Sequence, residues 1–253
     1  MTGSRVPQGA TAPKSDGSEG TGALQGGRGP LDEPELSRGG GAPLDRAGSL
    51  QGGWGPSGAG SFDLLIAGVG GQGVILASNV IGEACLIEGR PVKAAETHGM
   101  AQRGGSVECH VRIDGRYGPL IPPGQAGLLM AFELIEALRY RHYLKPGGKL
   151  VANRLVMVPT SVYTQKLEVP TEEKVLGQLA DLGPCVLDAD KKAGEAGSPL
   201  TQNMVMVGAA SLFLPLQVES LEEAIRRSVP KKTIDMNLRA FQLGREAAGG
   251  CRD

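Results

Sequence analysis

The sequence predicts an α/β fold: a Rossmann-like three-layer sandwich around a mostly parallel sheet, preceded by a disordered N-terminal extension. Three observations carry this expectation. From Phe62 onward, short apolar runs alternate with segments of helical spacing, the pattern of strand–helix–strand units. The run Phe62–Ala67 passes straight into Gly68–Gly73, where four of six residues are glycine, and then into a helix. Residues 1–60 are rich in Gly, Pro, Ser and mixed charge, with few β-branched or aromatic side chains. Such a segment cannot bury enough apolar surface to offset the entropy of ordering it. The chain therefore divides into an extension, 1–60, and one folded domain, 61–248.

Taken in order, the extension holds one large aromatic, Trp54, which either docks on the domain or a partner or stays solvated. Asp63–Ala67 is a short strand, apolar on both faces as a central buried strand should be. The first helix runs from Val74 to Glu88, with Val74, Ala77, Ile81, Ala84 and Cys85 on one face, and Gly89-Arg90-Pro91 breaks it. Val92–Ala95 is the second strand, with Glu96 at its end. Thr97–Gly105, THGMAQRGG, is a loop carrying His, Gln and Arg among glycines.

Ser106–Asp114 alternates Val107, Cys109, Val111 and Ile113 with Ser106, Glu108, His110 and Arg112, which predicts a strand with one wet or interfacial face. A proline-rich turn over 119–124 precedes strand Gly127–Ala131 and helix Phe132–Tyr143. Lys145-Pro146-Gly147-Gly148 reads as a tight turn into strand Lys149–Ala152. Thr171 caps a helix to Asp181, Cys185–Leu187 is a short strand, and Leu200–Leu214 is a buried helix. Two amphipathic helices, Glu219–Val229 and Lys232–Ala247, complete the domain, the last burying Ile234, Leu238, Phe241 and Leu243.

The net charge of −1 over 253 residues gives no electrostatic case for binding nucleic acid or a membrane. No apolar run approaches the ~20 residues of a membrane-spanning helix. The start, MTGSRVPQGA, lacks the basic and apolar regions of a secretory signal, so the expected location is cytoplasmic. The cysteines Cys85, Cys109, Cys185 and Cys251 include no C-x-x-C pair. That spacing reads as small buried hydrophobes or idle thiols rather than a metal or iron–sulfur site in this chain.

A strand, a glycine turn and a helix N-terminus suit an anion, because unpaired backbone N–H groups and the helix dipole converge there. Gly68, Gly70 and Gly73 match the dinucleotide-binding spacing, and Gly70, Gly71, Gln72 and Gly73 form the loop itself. Glu96 lies 23 residues past Gly73, close to the ~20 at which such folds place a ribose-binding acid. A free-standing NAD(P) or flavin enzyme is therefore one reading. A second is that the glycines serve only close strand–helix packing. His98, Gln102, Arg103 and Gly104 lie in the second loop, beyond strand ends where α/β clefts form. There His98 is a candidate base and Arg103 a candidate bidentate anion ligand, although no residue is assigned as acid, base or nucleophile.

GVGGQGV (68–74) together with ETHGMAQRGGSVECHVRI (96–113) resembles the gamma-type domain of 2-oxoacid:ferredoxin oxidoreductases. The segments around Asn203-Met204, Gly208-Ala209-Ala210 and 237–244 resemble that family as well, so the likeness spans residues 62–247. The HGMAQRGG form on a separate chain is most similar to the smaller (beta) subunit of the indolepyruvate type. The resemblance implies oxidative decarboxylation of a 2-oxoacid to an acyl-CoA, with CoA as co-substrate and electrons passed to ferredoxin. It implies that thiamine diphosphate, Mg²⁺ and [4Fe–4S] clusters reside in a large partner subunit, in a two-plus-two heterotetramer. Gly68, Gly70, Gly71, Gln72 and Gly73 would then form a cofactor-facing loop, and Glu96, His98, Gln102, Arg103 and Gly104 an active-site wall or partner interface. Other readings stay open: a gamma subunit acting on pyruvate, 2-oxoglutarate or branched-chain oxoacids, or a non-enzymatic binding module.

Overall fold

The computed structural model describes residues 60–98, 105–158, 162 and 170–251. The expected disordered extension and the tip of the THGMAQRGG loop lie outside the described residues. Six strands form one sheet in the order β2-β3-β1-β4-β5-β6. They are β1 (Phe62–Val69), β2 (Val92–His98), β3 (Ser106–Ile113), β4 (Ala126–Ala131), β5 (Leu144–Asn153) and β6 (Cys185–Leu187). β1, β4, β5 and β6 pair in parallel. β3 runs antiparallel to both of its neighbours, β1 and β2. Only β3 opposes the other five strands, so the sheet is mostly parallel.

Side chains alternate along β1 to feed two cores. Leu64 and Ile66 face helices α1 (Val74–Ile87), α4 (Ala189–Ala196), α5 (Gln202–Ala210), α6 (Val218–Ser228) and α7 (Ile234–Ala247). Leu65 and Ala67 face α2 (Leu134–Tyr140) and α3 (Glu172–Leu179) on the opposite side. The result is the expected three-layer sandwich. All four of these β1 side chains are fully buried, and each such Leu or Ile contributes about 1.5–3 kcal/mol.

Several local expectations change. β2 continues through His98, so Glu96 lies within the strand rather than at its end. Lys145–Gly148 is not a turn before the strand but part of β5, where the pairing slips between Ala126 and Leu128 and forms a bulge. Helix α2 starts only at Leu134, because the Glu133 side chain caps it by accepting from Ile135 N and Glu136 N. A helix absent from the sequence reading, α4, is capped by Asp188, whose Oδ1 accepts from Lys191 N at 2.9 Å.

The face of β3 expected to be wet or interfacial is half-buried at Ser106 and Glu108 and buried at His110 and Arg112. Arg112 makes a two-pronged pair with Asp63 of β1, Nε to Oδ1 at 2.9 Å and Nη2 to Oδ2 at 3.0 Å. Breaking such a buried pair costs about 3–5 kcal/mol, because one charge is left uncompensated. His110 is 2% exposed, and its Nδ1 accepts from Ile121 N at 3.1 Å. The segment after β3 folds back over these groups and satisfies them.

The cysteine expectation is half corrected. Cys185 of β6 and Cys251, beyond α7, form a disulfide that closes 66 residues of chain. Cys85 and Cys109 are free and buried, and burial pushes each thiol up to about 12. Thiols held protonated in this way are poor metal ligands. Among the described residues, no three His, Cys, Asp or Glu side chains are grouped so as to hold a metal ion. No helix among them is long and apolar enough to cross a membrane.

Candidate functional site

The connection after β1 runs outward through α1 on one face, and the connection after β4 runs outward through α2 on the other. The carboxyl ends of β1 and β4 are therefore the switch point of the sheet, where α/β folds bind their ligands. The glycine loop sits at that point. Gly73, with φ 77°, is the N-cap of α1 and offers no side chain to the helix end. An added Cβ there would lie 2.6 Å from Asn203 Nδ2, so the left-handed backbone and close packing both require glycine. At Gly68 an added Cβ would meet Val74 Cγ2 at 2.7 Å and Phe132 Cβ at 2.9 Å.

Gln72 turns inward. Its Oε1 accepts from Val69 N at 2.7 Å, and its Nε2 donates to Phe132 O at 3.3 Å. The side chain thereby ties the loop to the ends of both switch-point strands. It braces the loop and leaves the backbone N–H groups at the start of α1 as the anion-friendly surface. Gly71, with φ 105°, is exposed at the crest of the turn.

The two glycine motifs meet. Gly70 N donates to Gly105 O at 2.8 Å, which fastens the end of the second loop onto the first. The adjacent Ser106 hydroxyl donates to the buried Glu136 carboxylate and lies 3.1 Å from Tyr140 Oη. Burial pushes the Tyr140 hydroxyl above its ordinary value. The second loop is thus anchored at its carboxyl end by a polar cluster on α2. Gln102, Arg103 and Gly104 lie outside the described residues, and of His98 only the backbone, in β2, is described.

Glu96 does not join the glycine loop. On β2, the edge strand, it pairs with Cys109 of β3, and β3 stands between β2 and β1. Two strand spacings, ~10 Å, therefore separate it from β1. A dinucleotide fold needs its ribose acid at the end of the strand next to β1, and this topology fills that position with an antiparallel strand. The free-standing dehydrogenase reading loses its second element here.

The structure adds residues that the sequence reading did not select. Glu133, 1% exposed at the end of β4, accepts from Ile135 N at 2.9 Å, from Glu136 N and from Met157 N at 3.4 Å. Burial raises its pKa, against the lowering effect of those N–H groups. At the end of β5, fully buried Asn153 donates to Asp190 Oδ2 at 2.9 Å and to Phe132 O at 3.3 Å, and accepts from Ala189 N at 2.8 Å. Gln202 Nε2 reaches the same Asp190 oxygen at 3.2 Å. The legible signal was a polar residue ending an apolar strand, at Glu133 and Asn153. The amide pair at the start of α5, Gln202-Asn203, could not be placed without the fold.

A glycine loop at the switch point, with a second glycine-rich motif hydrogen-bonded onto it, defines an α/β chain of the ligand-binding class. The chain belongs to the pyruvate ferredoxin/flavodoxin oxidoreductase family, whose profile matches residues 63–247. Over 193 residues it is 43% identical to indolepyruvate oxidoreductase subunit IorB of Thermococcus kodakarensis, covering 74% of this chain and 96% of that one. To the subunit of the same name from Archaeoglobus fulgidus it is 40% identical over 187 residues, covering 72% and 93%. Among solved structures, the gamma subunit of a keto/oxoacid ferredoxin oxidoreductase from Geobacter sulfurreducens matches with a TM-score of 0.56 and 26% identity. That match covers 75% of this chain and 99% of the other.

Proposed function

We propose that this chain is the smaller, cofactor-free subunit of an indolepyruvate-type, arylpyruvate-oxidising ferredoxin oxidoreductase. The assembled enzyme decarboxylates an arylpyruvate oxidatively to the aryl-acyl-CoA and passes the electrons to ferredoxin. The observation that carries this reading is the Gly70–Gly105 contact, which joins both glycine motifs into one surface at the sheet's switch point. The identity to subunits named for indolepyruvate, over nearly their whole length, supports the substrate class.

Thiamine diphosphate, Mg²⁺ and [4Fe–4S] clusters belong on the large partner subunit, in a two-plus-two assembly in the cytoplasm. The donor set here supports that division: two cysteines bonded to each other and two buried thiols do not make a cluster site. In this chain the backbone N–H groups at the start of α1, beside the glycine loop, favour an anionic group of the substrate or CoA. His98, Gln102 and Arg103 shape the wall facing the partner, with Glu96 and Gly104 at the margins of the same surface. Residues 1–60 form an extension outside the domain 61–248.

Arg103→Ala in the co-purified complex tests the wall. The expected result is a turnover reduced at least several-fold with the complex still assembled. Wild-type turnover and assembly would remove the second loop from the mechanism.

A further inference from the structure

A buried amide stands against the amino end of α1 with its donors unused. Asn203, the second residue of α5, is 4% exposed. Its Oδ1 accepts from Met204 N at 3.0 Å, which fixes the orientation of the amide and turns its NH2 group away from α5. That nitrogen is the nearest atom to the space a Gly73 side chain would fill, 2.6 Å from an added Cβ. Among the described residues, Nδ2 donates to no acceptor. Side chains buried this deeply ordinarily have their polar atoms paired.

The space in front of Nδ2 is the one an N-cap side chain would occupy. At α2, α3 and α4 that place holds an oxygen, of Glu133, Thr171 and Asp188, which accepts from the first turn. At α1 it holds glycine, and no side chain caps the helix. The first N–H of this helix end with a backbone acceptor is that of Ala77, which donates to Gly73 O at 3.1 Å. The N–H groups of Val74, Ile75 and Leu76 therefore point out of the helix end without a partner in the chain. Asn203 cannot cap them through Nδ2, because an NH2 group is itself a donor. Donors on both sides call for an acceptor from outside. With the positive ends of α1 and α5 side by side, a negatively charged one is favoured. The approach is open, since Gly71 is exposed and Ile75 is 39% exposed.

Resting on the reading that this end of the sheet meets substrate or CoA, we propose that Asn203 Nδ2 and the first-turn N–H groups of α1 form one binding site for an anionic oxygen. A phosphate or a carboxylate supplies it. Asn203 is the side chain that holds the anion, and Gly73 is the gap that admits it.

Asn203→Asp separates binding from packing. It keeps the shape and the acceptor for Met204 N, but puts a carboxylate where the anion would sit, in position to cap α1. Melting of the full-length chain is followed in rising inorganic phosphate, acetate and chloride at equal ionic strength. The expected result is a wild-type midpoint that rises saturably with phosphate or acetate above its chloride value. Asn203→Asp should melt no lower than the wild type in chloride and show no such rise. A larger rise in phosphate than in acetate identifies a phosphate ligand, and the reverse a carboxylate. In the reconstituted complex the same change should raise the KM of CoA in the first case, or of indolepyruvate in the second, at least about tenfold, with kcat altered less. A wild type that responds to neither anion beyond chloride would overturn the site, as would a variant that responds equally. So would an Asn203→Asp chain that melts well below the wild type, which would mark Asn203 as a packing residue. A wild-type complex inactive on indolepyruvate would remove the parent reading instead, and the melting curves would still decide the site.

Discussion

Replacing Gly208 by Ala places a methyl carbon 2.0 Å from the carbonyl oxygen of Phe241 and 2.9 Å from its carbonyl carbon. The reciprocal change, Gly244→Ala, brings its methyl 2.0 Å from the Val205 carbonyl oxygen. Each helix thus presents a glycine to the other's backbone where α5 crosses α7. A carbon–oxygen contact of this kind settles at about 3.3 Å, so the helices must part by more than ~1 Å. A gap of that size forfeits about a quarter to a half of the dispersion attraction along the seam. Overpacking costs ~1–3 kcal/mol, against ~1 kcal/mol regained from alanine's helix preference. Because the obstacle is backbone and all nine residues of α5 are buried, the expectation is near the upper end. That is a net loss of about 2 kcal/mol for either single change, or a melting temperature lower by roughly 4–8 °C. The double variant should lose less than the sum, since both methyls open one seam. Gly82→Ala on α1, where an added Cβ meets nothing within 4 Å, should instead be neutral or stabilising by up to ~1 kcal/mol. Urea unfolding of the purified variants measures each value. Gly208→Ala as stable as Gly82→Ala would refute the close crossing, and with it the placement of Asn203 against Gly73.

Other perturbations test separate parts of the account. His110 is buried neutral, and desolvation holds its pKa below the ordinary 6.5 against the raising influence of Glu108. The unfolded chain therefore binds more protons on the acid side, so this contribution to stability is complete above about pH 6.5 and falls as pH drops through the folded value. His110→Asn, which keeps an acceptor for Ile121 N, should flatten that acid-side loss in thermal melts between pH 5 and 8. Cys251→Ser, or a reductant, should lower the stability of the oxidised chain by about 4 kcal/mol, the loop-closure value for 66 residues; calorimetry with and without reductant reads it. Gly68→Ala, which forces a methyl against Val74, Gln72 and Phe132, should reduce turnover of the complex at least tenfold while the complex still forms on gel filtration.

The central strands β1 and β4 are legible because they are short and apolar on both faces, a pattern set by burial rather than by distant partners. The polar face of β3 is harder to read for the opposite reason. Its Arg112 and His110 have polar side chains whose partners, Asp63 and Ile121, come from a neighbouring strand and a returning loop. Local alternation cannot distinguish a solvated face from one satisfied by tertiary contacts. Helix α4 buries only alanines, Ala189, Ala193 and Ala196, too weak an apolar stripe to read in advance. Of the site, the glycines announced themselves through spacing, whereas the inward turn of Gln72 and the Asn153–Asp190–Gln202 cluster depend on how strand ends converge. Glu96 misled because counting residues to the next acid assumes that the next strand lies beside β1, and here β3 takes that place.

The central claim is that this chain completes an active site whose chemistry resides on a larger partner. Reconstituting the purified chain with its large subunit and following ferredoxin reduction with indolepyruvate and CoA tests that claim directly. Reduction should require both chains, run faster with indolepyruvate than with pyruvate or 2-oxoglutarate, and be absent from this chain alone. Full turnover by the large subunit without this chain would contradict it.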